Sequence, residues 1–414
     1  AGSPSGLVAT MASVAEAPDP AFWREEPRRL GVVTIARGIV VVLAAATLVG
    51  LWVLWPHGGL KGSSALTVRT DGATVTDVVP IGCPGKGQHD CRRVDFRLAS
   101  GRLGSFTIVG RQGGLALSLG RGDKIRVYPN RIPAGTPPAV ANQIGRWSFS
   151  DFDRRGALLS LAATFLVLLL LTGRLRGLRA VLGLVASLVV VVEFVIPAVL
   201  HGRNPVEVAI VGSFAVMLLT MPLAYGLGVK TTAALLGTGA SLLAAAGLAD
   251  FAARLAHLSG ANEEALYLVS TSSTLSLRGL LVAGMVIGAL GVLVDLTVSQ
   301  ASTVLALRRA NPRLGFGGLF RGALDVGHDH IAATVNTLVF AYAGAALPVL
   351  LIFSIGHTPF TDAINSEVVA QEVVASLVGS IGLILSMPLT TALAALLVER
   401  VDPSELAHEH VHEH

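Results

Sequence analysis

Charge is scarce in this chain. Asp, Glu, Lys and Arg make up 14% of its 414 residues, against roughly 25% in a soluble domain. A surface solvated on every side needs more, so a soluble globular architecture is excluded. Aromatic residues are also few, at 5%. No basic cluster is interleaved with them, which excludes a base-stacking surface and leaves no expectation of nucleic acid. Cysteine occurs only twice, too rarely for a zinc-spaced cysteine set. No phosphate-binding loop, GxSxG elbow or HExxH pair is present, and Gly315-Phe-Gly317 has no βαβ context. Without a nucleophile–base pair or a metal set, neither an enzymatic activity nor a cofactor is expected.

Apolar runs are abundant instead. Hydrophobic residues reach 52%, and mean hydropathy is +0.67. Eight stretches are long enough to cross a bilayer, near Gly38–Leu54, Gly156–Thr172, Ala180–Leu200, Val206–Tyr225, Thr232–Leu248, Leu280–Val304, Ile331–Phe353 and Val373–Val398. Runs of about 18 apolar residues at this density have no soluble explanation. The 46 glycines suit helices that pack closely in lipid. The expected fold is an α-helical polytopic membrane protein with about eight transmembrane helices.

Arginine sets the orientation. Arg28, Arg29 and Arg37 precede or open the first run, and Arg174, Arg176 and Arg179 follow the second. Lys230 follows the fourth, and Arg308, Arg309, Arg313 and Arg321 follow the sixth. These segments alternate correctly if both termini are cytoplasmic. The organisation then reads 1–37 as a cytoplasmic segment, 38–54 as the first helix and 59–150 as an extracytoplasmic domain. Residues 156–398 form a seven-helix domain, and 399–414 a cytoplasmic His-rich tail.

The polar segment 59–150 reads as short strands: Ala65–Arg69, Ala73–Val79, Arg93–Leu98, Ser105–Val109, Gly114–Ser118 and Lys124–Val127. Gly, Asn, Asp and Pro punctuate them. So many short strands predict a small closed β-barrel, OB-like in shape, between the first and second helices. Cys83 and Cys91 both lie here. An oxidising exterior favours a disulfide; the competing reading is a metal site shared with His89.

Ionisable groups at membrane depth are costly and mark function. Asp295, Ser299 and Ser302 share one helix face at i, i+4, i+7. Asp295 lies roughly 22 Å down its helix at about 1.5 Å per residue, and Gly284 and Gly288 stand above it in GxxxG spacing. Asp329 is placed to cap the next helix. Asn336 and Thr337 lie about two turns deeper, near the level of Asp295, which predicts a shared polar site between the sixth and seventh helices. The alternative is that Asp329 only caps and Asn336 only joins helices. Glu193, in the outer half of the third helix, reads as a station on a proton or ion path, or as a vestibule residue near His201. Met221-Pro222-Leu223 and Met387-Pro388-Leu389 recur in two helices, as an internal repeat of broken helices or as chance similarity of apolar sequence. His408, His410, His412 and His414 alternate with Glu or Val; they are weak metal candidates or a disordered tail with adventitious affinity.

Around Asp295 and Asp329 the sequence resembles the YibE/F family of bacterial multi-pass membrane proteins. Leu277-Arg278-Gly279-Leu280-Leu281, Ala283-Gly284, Gly288, Asp295, Ser299 and Ser302 carry the resemblance. So do Asn311-Pro312, Gly327, Asp329, Thr334, Asn336-Thr337-Leu338, Gly344 and Leu347-Pro348. The triplet His328-Asp329-His330 departs from it, since relatives often have Arg before the Asp. The resemblance implies a bacterial cell membrane location and the candidate residues more than a function. The favoured expectation is a secondary transporter or channel-like permease for an ion or small solute. Asp295 would be its protonatable group, and Ser299, Ser302, Asn336 and Thr337 its neutral ligands. The other expectation is a non-transporting scaffold or envelope regulator acting through the β-domain. Expected partners are the lipid bilayer, the solute, an extracytoplasmic protein and a second copy of the chain.

Overall fold

The computed structural model describes residues 29–57, 69–83, 89–110, 119–130, 146–262, 266 and 275–401. The chain divides into two compact units, Lys61–Leu178 and the remainder, Ala1–Leu60 with Arg179–His414.

The smaller unit holds five strands: β1 (Asp71–Pro80), β2 (His89–Leu98), β3 (Leu103–Gly110), β4 (Lys124–Pro129) and β5 (Trp147–Phe152). They form one sheet in the order β3-β2-β1-β4-β5, and every pairing is antiparallel. Alternation builds its core. On β2, Val94, Phe96 and Leu98 are buried while Arg93, Asp95 and Arg97 are not, the period of two that a one-sided strand requires. Val75 faces Phe96 and Ala73 faces Ile125 across the ladders. A register shift between Val75 and Asp77 adds the local bend that a bulge brings.

The sheet curls, but it does not close as the sequence predicted. Among the described residues β3 and β5 share no ladder, so the unit is a half-barrel. Aromatic rings stand where hydrogen bonds would: Phe106 and Phe149 on the two edges have centroids 5.9 Å apart, and Phe96 meets Trp147 edge-on at 5.9 Å. β5 was not foreseen. Of the expected strands, Gly114–Ser118 and all of Ala65–Arg69 but Arg69 lie outside the described residues. Cys83 and Cys91 are joined by a disulfide, which removes the metal reading for this pair.

Eight helices among the described residues are long and apolar enough to cross a membrane. They are α1 (Gly31–Leu54), α2 (Arg155–Leu175), α3 (Gly177–Leu200), α4 (Pro205–Tyr225), α5 (Val229–Leu255), α6 (Leu277–Ala310), α7 (Phe316–Ile355) and, after the short α8 (Phe360–Asn365), α9 (Glu367–Glu399). α2 belongs to the smaller unit and ends where Arg174 leaves helical geometry at φ 49.

In the larger unit α5, α6 and α9 form the centre. Two thirds of α5's apolar stretch is buried (67%), against 11% for α1 and for α7. The reason is residue size. α5 buries Ala233, Ala234, Gly237, Thr238, Ser241, Ala245 and Ala249, and small residues let neighbouring backbones approach closely. At Gly237 a Cβ would overlap the Thr390 hydroxyl of α9. Pro222, Pro348 and Pro388 interrupt α4, α7 and α9 from inside.

α7 is longer than expected. It begins at Phe316 rather than near Ile331 and spans roughly 60 Å at 1.5 Å per residue, about twice the hydrocarbon thickness. Its first half carries Arg321, expected in the loop, and Asp329, expected at the helix start, with Asp325 between them. Yet Leu319, Ala323 and Gly327 are buried at four-residue spacing, so one stripe of an amphipathic helix packs inward.

One carboxylate ties the start of α9 to the turn after α5. Glu367 Oε1 accepts from the Ser259 amide (2.7 Å) and hydroxyl (2.7 Å), the Gly260 amide (2.8 Å) and Gln371 Nε2 (3.1 Å).

Candidate functional site

α6 has two unlike faces. One buries Leu293, Leu296, Thr297, Gln300 and Val304. The other leaves Gly284, Gly288, Gly291 and Asp295 exposed, at steps of four, three and four residues. Ser299 and Ser302 continue that stripe, half-buried.

The Asp295 side chain is 72% exposed, and its Oδ2 lies 3.7 Å from His330 Nε2 on α7. That distance exceeds a hydrogen bond and is an ion-pair contact when the imidazole is protonated. The His330 Nε2 atom is itself buried and makes no hydrogen bond among the described residues. The site therefore joins an open carboxylate to a covered imidazole nitrogen, across two helices.

The other expected members are placed differently. Asp329 is exposed in the interior of α7, whose N-cap is Gly315. The capping role expected for it does not hold, because the helix starts well before it. Asn336 and Thr337 are exposed. Asn336 lies about 200° around the helix from the buried Leu338, so it turns away from the packed stripe, and His330 stands beside Asp295 instead. Two hydroxyls serve their own helices: Ser302 donates to the Val298 carbonyl (2.7 Å) and Thr337 to that of Ala333 (3.0 Å). Glu193 is exposed on a π-helical turn, Val191–Val195, inside α3. The tail histidines 408–414 lie outside the described residues.

Sequence reasoning missed the polar seam inside the bundle. Thr238 and Thr297 share a hydrogen bond of 2.6 Å between α5 and α6. Thr391 on α9 donates to Gln300 Oε1 at 3.0 Å. Gln300 also packs against α7, where a Cβ at Gly327 would meet its amide nitrogen and the Met387 sulfur. Buried amides and hydroxyls bonded across helices join them where water is absent. The signal was present as polar residues at helical spacing, Thr238/Ser241, Thr297/Gln300 and Ser386/Thr390. In apolar runs such residues read as neutral filler.

Two cavities open beside α7 near the start of α9. One, of about 310 Å³, is lined by Gly284, Met285, Tyr342, Gln371 and Glu372 among others. The other, of about 280 Å³, is lined by Val339, Ala346, Leu350, Phe360 and Leu377, again with Tyr342 and Glu372.

No curated protein and no solved structure matches this chain. One family model does, described as YibE/F-like protein, and it covers residues 161–400. That range is more than half of the chain and holds α3 to α9 with both Asp295 and Asp329, so the chain belongs to the YibE/F-like family.

Proposed function

We propose that this chain is a multi-pass protein of the bacterial cell membrane that moves an ion or small solute as a secondary transporter or channel-like permease. In this reading both termini are cytoplasmic and the half-barrel lies outside. The arginines flanking α1, α2 and α6 support that orientation, and a disulfide in the sheet unit suits an oxidising exterior. We assign the protein no catalytic step.

One observation carries the proposal: Asp295 and His330 stand 3.7 Å apart in the middle of two long apolar helices. A carboxylate at that depth costs several kcal/mol unless it is paired, hydrated or protonated. Asp295 is the proton- or ion-binding group, His330 shares its charge, and Ser299 and Ser302 line the same stripe. Asn336 and Thr337, further along α7 than His330, are left out of this site. Flux in proteoliposomes, screened over ions and small solutes, tests it. Asp295→Asn should lower the flux at least tenfold while expression and melting temperature hold. Unchanged flux rejects the role of Asp295.

The scaffold reading is favoured by a different feature, the closely packed seam of α5, α6 and α9. On that reading the same substitution shifts stability, no solute accumulates, and loss of residues 59–150 removes the phenotype.

A further inference from the structure

The geometry points to a binding site for an organic ammonium group on a short apolar chain, at the junction of the two cavities beside Tyr342 and Glu372. Glu372 is half-buried in the second turn of α9. Among the described residues no side chain or amide donates to its carboxylate, unlike its neighbour Glu367, which gathers four donors. A half-buried carboxylate without protein donors is left to water, a proton or a counter-charge, and a cationic ligand supplies the last. Both cavities reach it, and both reach Tyr342.

The two cavities differ in kind. The first offers the Glu372 carboxylate, the Gln371 amide and the edge of α6 at Gly284, where a Cβ would meet nothing within 4 Å. The second is walled by aliphatic side chains and Phe360. The Tyr342 hydroxyl reaches α6, 3.3 Å from where a Cβ at Gly288 would stand, so its ring lies along the boundary. A hard cation such as Ca²⁺ wants six or more oxygen ligands, more than the described residues of this wall supply as carboxylates. An ammonium takes one carboxylate and an aromatic face, and its apolar chain fills the second cavity. Each volume is at the lower end for ligand pockets, so the ligand is small. The site rests on binding alone and needs no flux through Asp295.

Calorimetric titration of the full chain in non-ionic detergent tests it, with hexyltrimethylammonium, tetramethylammonium and hexanol as probes. Hexyltrimethylammonium should bind saturably, at least tenfold tighter than tetramethylammonium, and hexanol should not compete. Glu372→Gln should weaken binding at least tenfold with an unchanged melting temperature. Gly284→Phe, which fills the polar cavity from an open position, should do the same and decides the matter if Glu372→Gln fails to fold. Non-saturable heat, or equal affinity in the folded variants, overturns the site. In nanodiscs, weaker binding when phosphatidylethanolamine is present assigns the ammonium to a lipid headgroup, and unchanged binding assigns it to a soluble amphiphile.

Discussion

The half-barrel and the helical bundle are held together by opposite means. The sheet unit fills its core with large rings: Phe96, Phe106, Phe149 and Trp147. The bundle fills its centre with the smallest residues it has, Ala, Gly, Ser and Thr on α5 against α6 and α9. The first is driven by removing apolar area from water. The second, read as membrane-embedded, gains little that way, because lipid is as apolar as a leucine side chain. Its gain is contact between backbones brought close. Large-to-small changes should therefore break the sheet, and small-to-large changes should break the bundle.

The largest effect is expected at Phe96, which is fully buried. Phe96→Ala should destabilise the sheet unit by about 3–5 kcal/mol. Amide exchange in β1 and β2 should speed up at least a hundredfold while the α5 amides keep their protection. Equal loss in both units would show that they do not unfold separately.

Removing the disulfide comes next. Cys83 and Cys91 are eight residues apart, and closing so short a loop contributes about 2–3 kcal/mol by the loop-entropy model. Mass spectrometry should find the bond in protein prepared without reductant. Cys83→Ser with Cys91→Ser should lower the sheet's denaturation midpoint and leave the bundle's unchanged.

Gly237→Val tests the other side of the contrast. The added methyl groups meet Thr390, and overpacking costs about 1–3 kcal/mol. The melting temperature of the bundle should fall, and Thr390→Ala in the same chain should recover part of it, as expected of residues in contact. A neutral Gly237→Val would refute close packing as the source of the bundle's stability.

The smallest effect lies on the sheet's last strand. The Arg154 guanidinium hydrogen bonded to Asp151 at 2.7 Å, with help from the Phe152 amide, holds the Asp151 carboxyl below its ordinary value. Its folded pKa is thus below the unfolded one. The contribution is present above the unfolded pKa and is lost as pH falls through the folded one. Both side chains are open to solvent, so the gain is slight. A carboxyl titration by NMR should place Asp151 below the ordinary aspartate value, and Arg154→Gln should remove most of the depression, leaving the part that the Phe152 amide contributes.

Much of this was legible beforehand. Long apolar runs gave all eight helices, because nothing else in a chain needs so many consecutive apolar residues. Alternation gave four strands, β1 to β4. Two cysteines in one polar segment gave the disulfide. What escaped depends on rotation and reach. Asp295, Ser299 and Ser302 fix a face of α6, but no one-dimensional spacing says which residue of α7 stands opposite. Depth counted from a helix start near Ile331 selected Asn336; the level of Asp295 is met instead by His330, six residues or roughly 9 Å earlier along α7. The first half of α7 was hidden by its own charges, since Leu319, Ala323 and Gly327 are too sparse an apolar stripe to outweigh Arg321, Asp325 and Asp329. β5 was hidden because Trp147 to Phe152 alternates rings with Ser and Asp beside a helix start.

Ser259 and Glu367 are 108 residues apart in sequence, and α6, α7 and α8 lie in the loop that their contact closes. A chain made from its N-terminus leaves the turn after α5 without its acceptor until three further helices have followed. The clasp is therefore a late contact in any N-to-C order of assembly. Its hydrogen bonds form only once the second half of the bundle is in place, and a chain stalled before α9 exposes a turn whose donors have no carboxylate to meet.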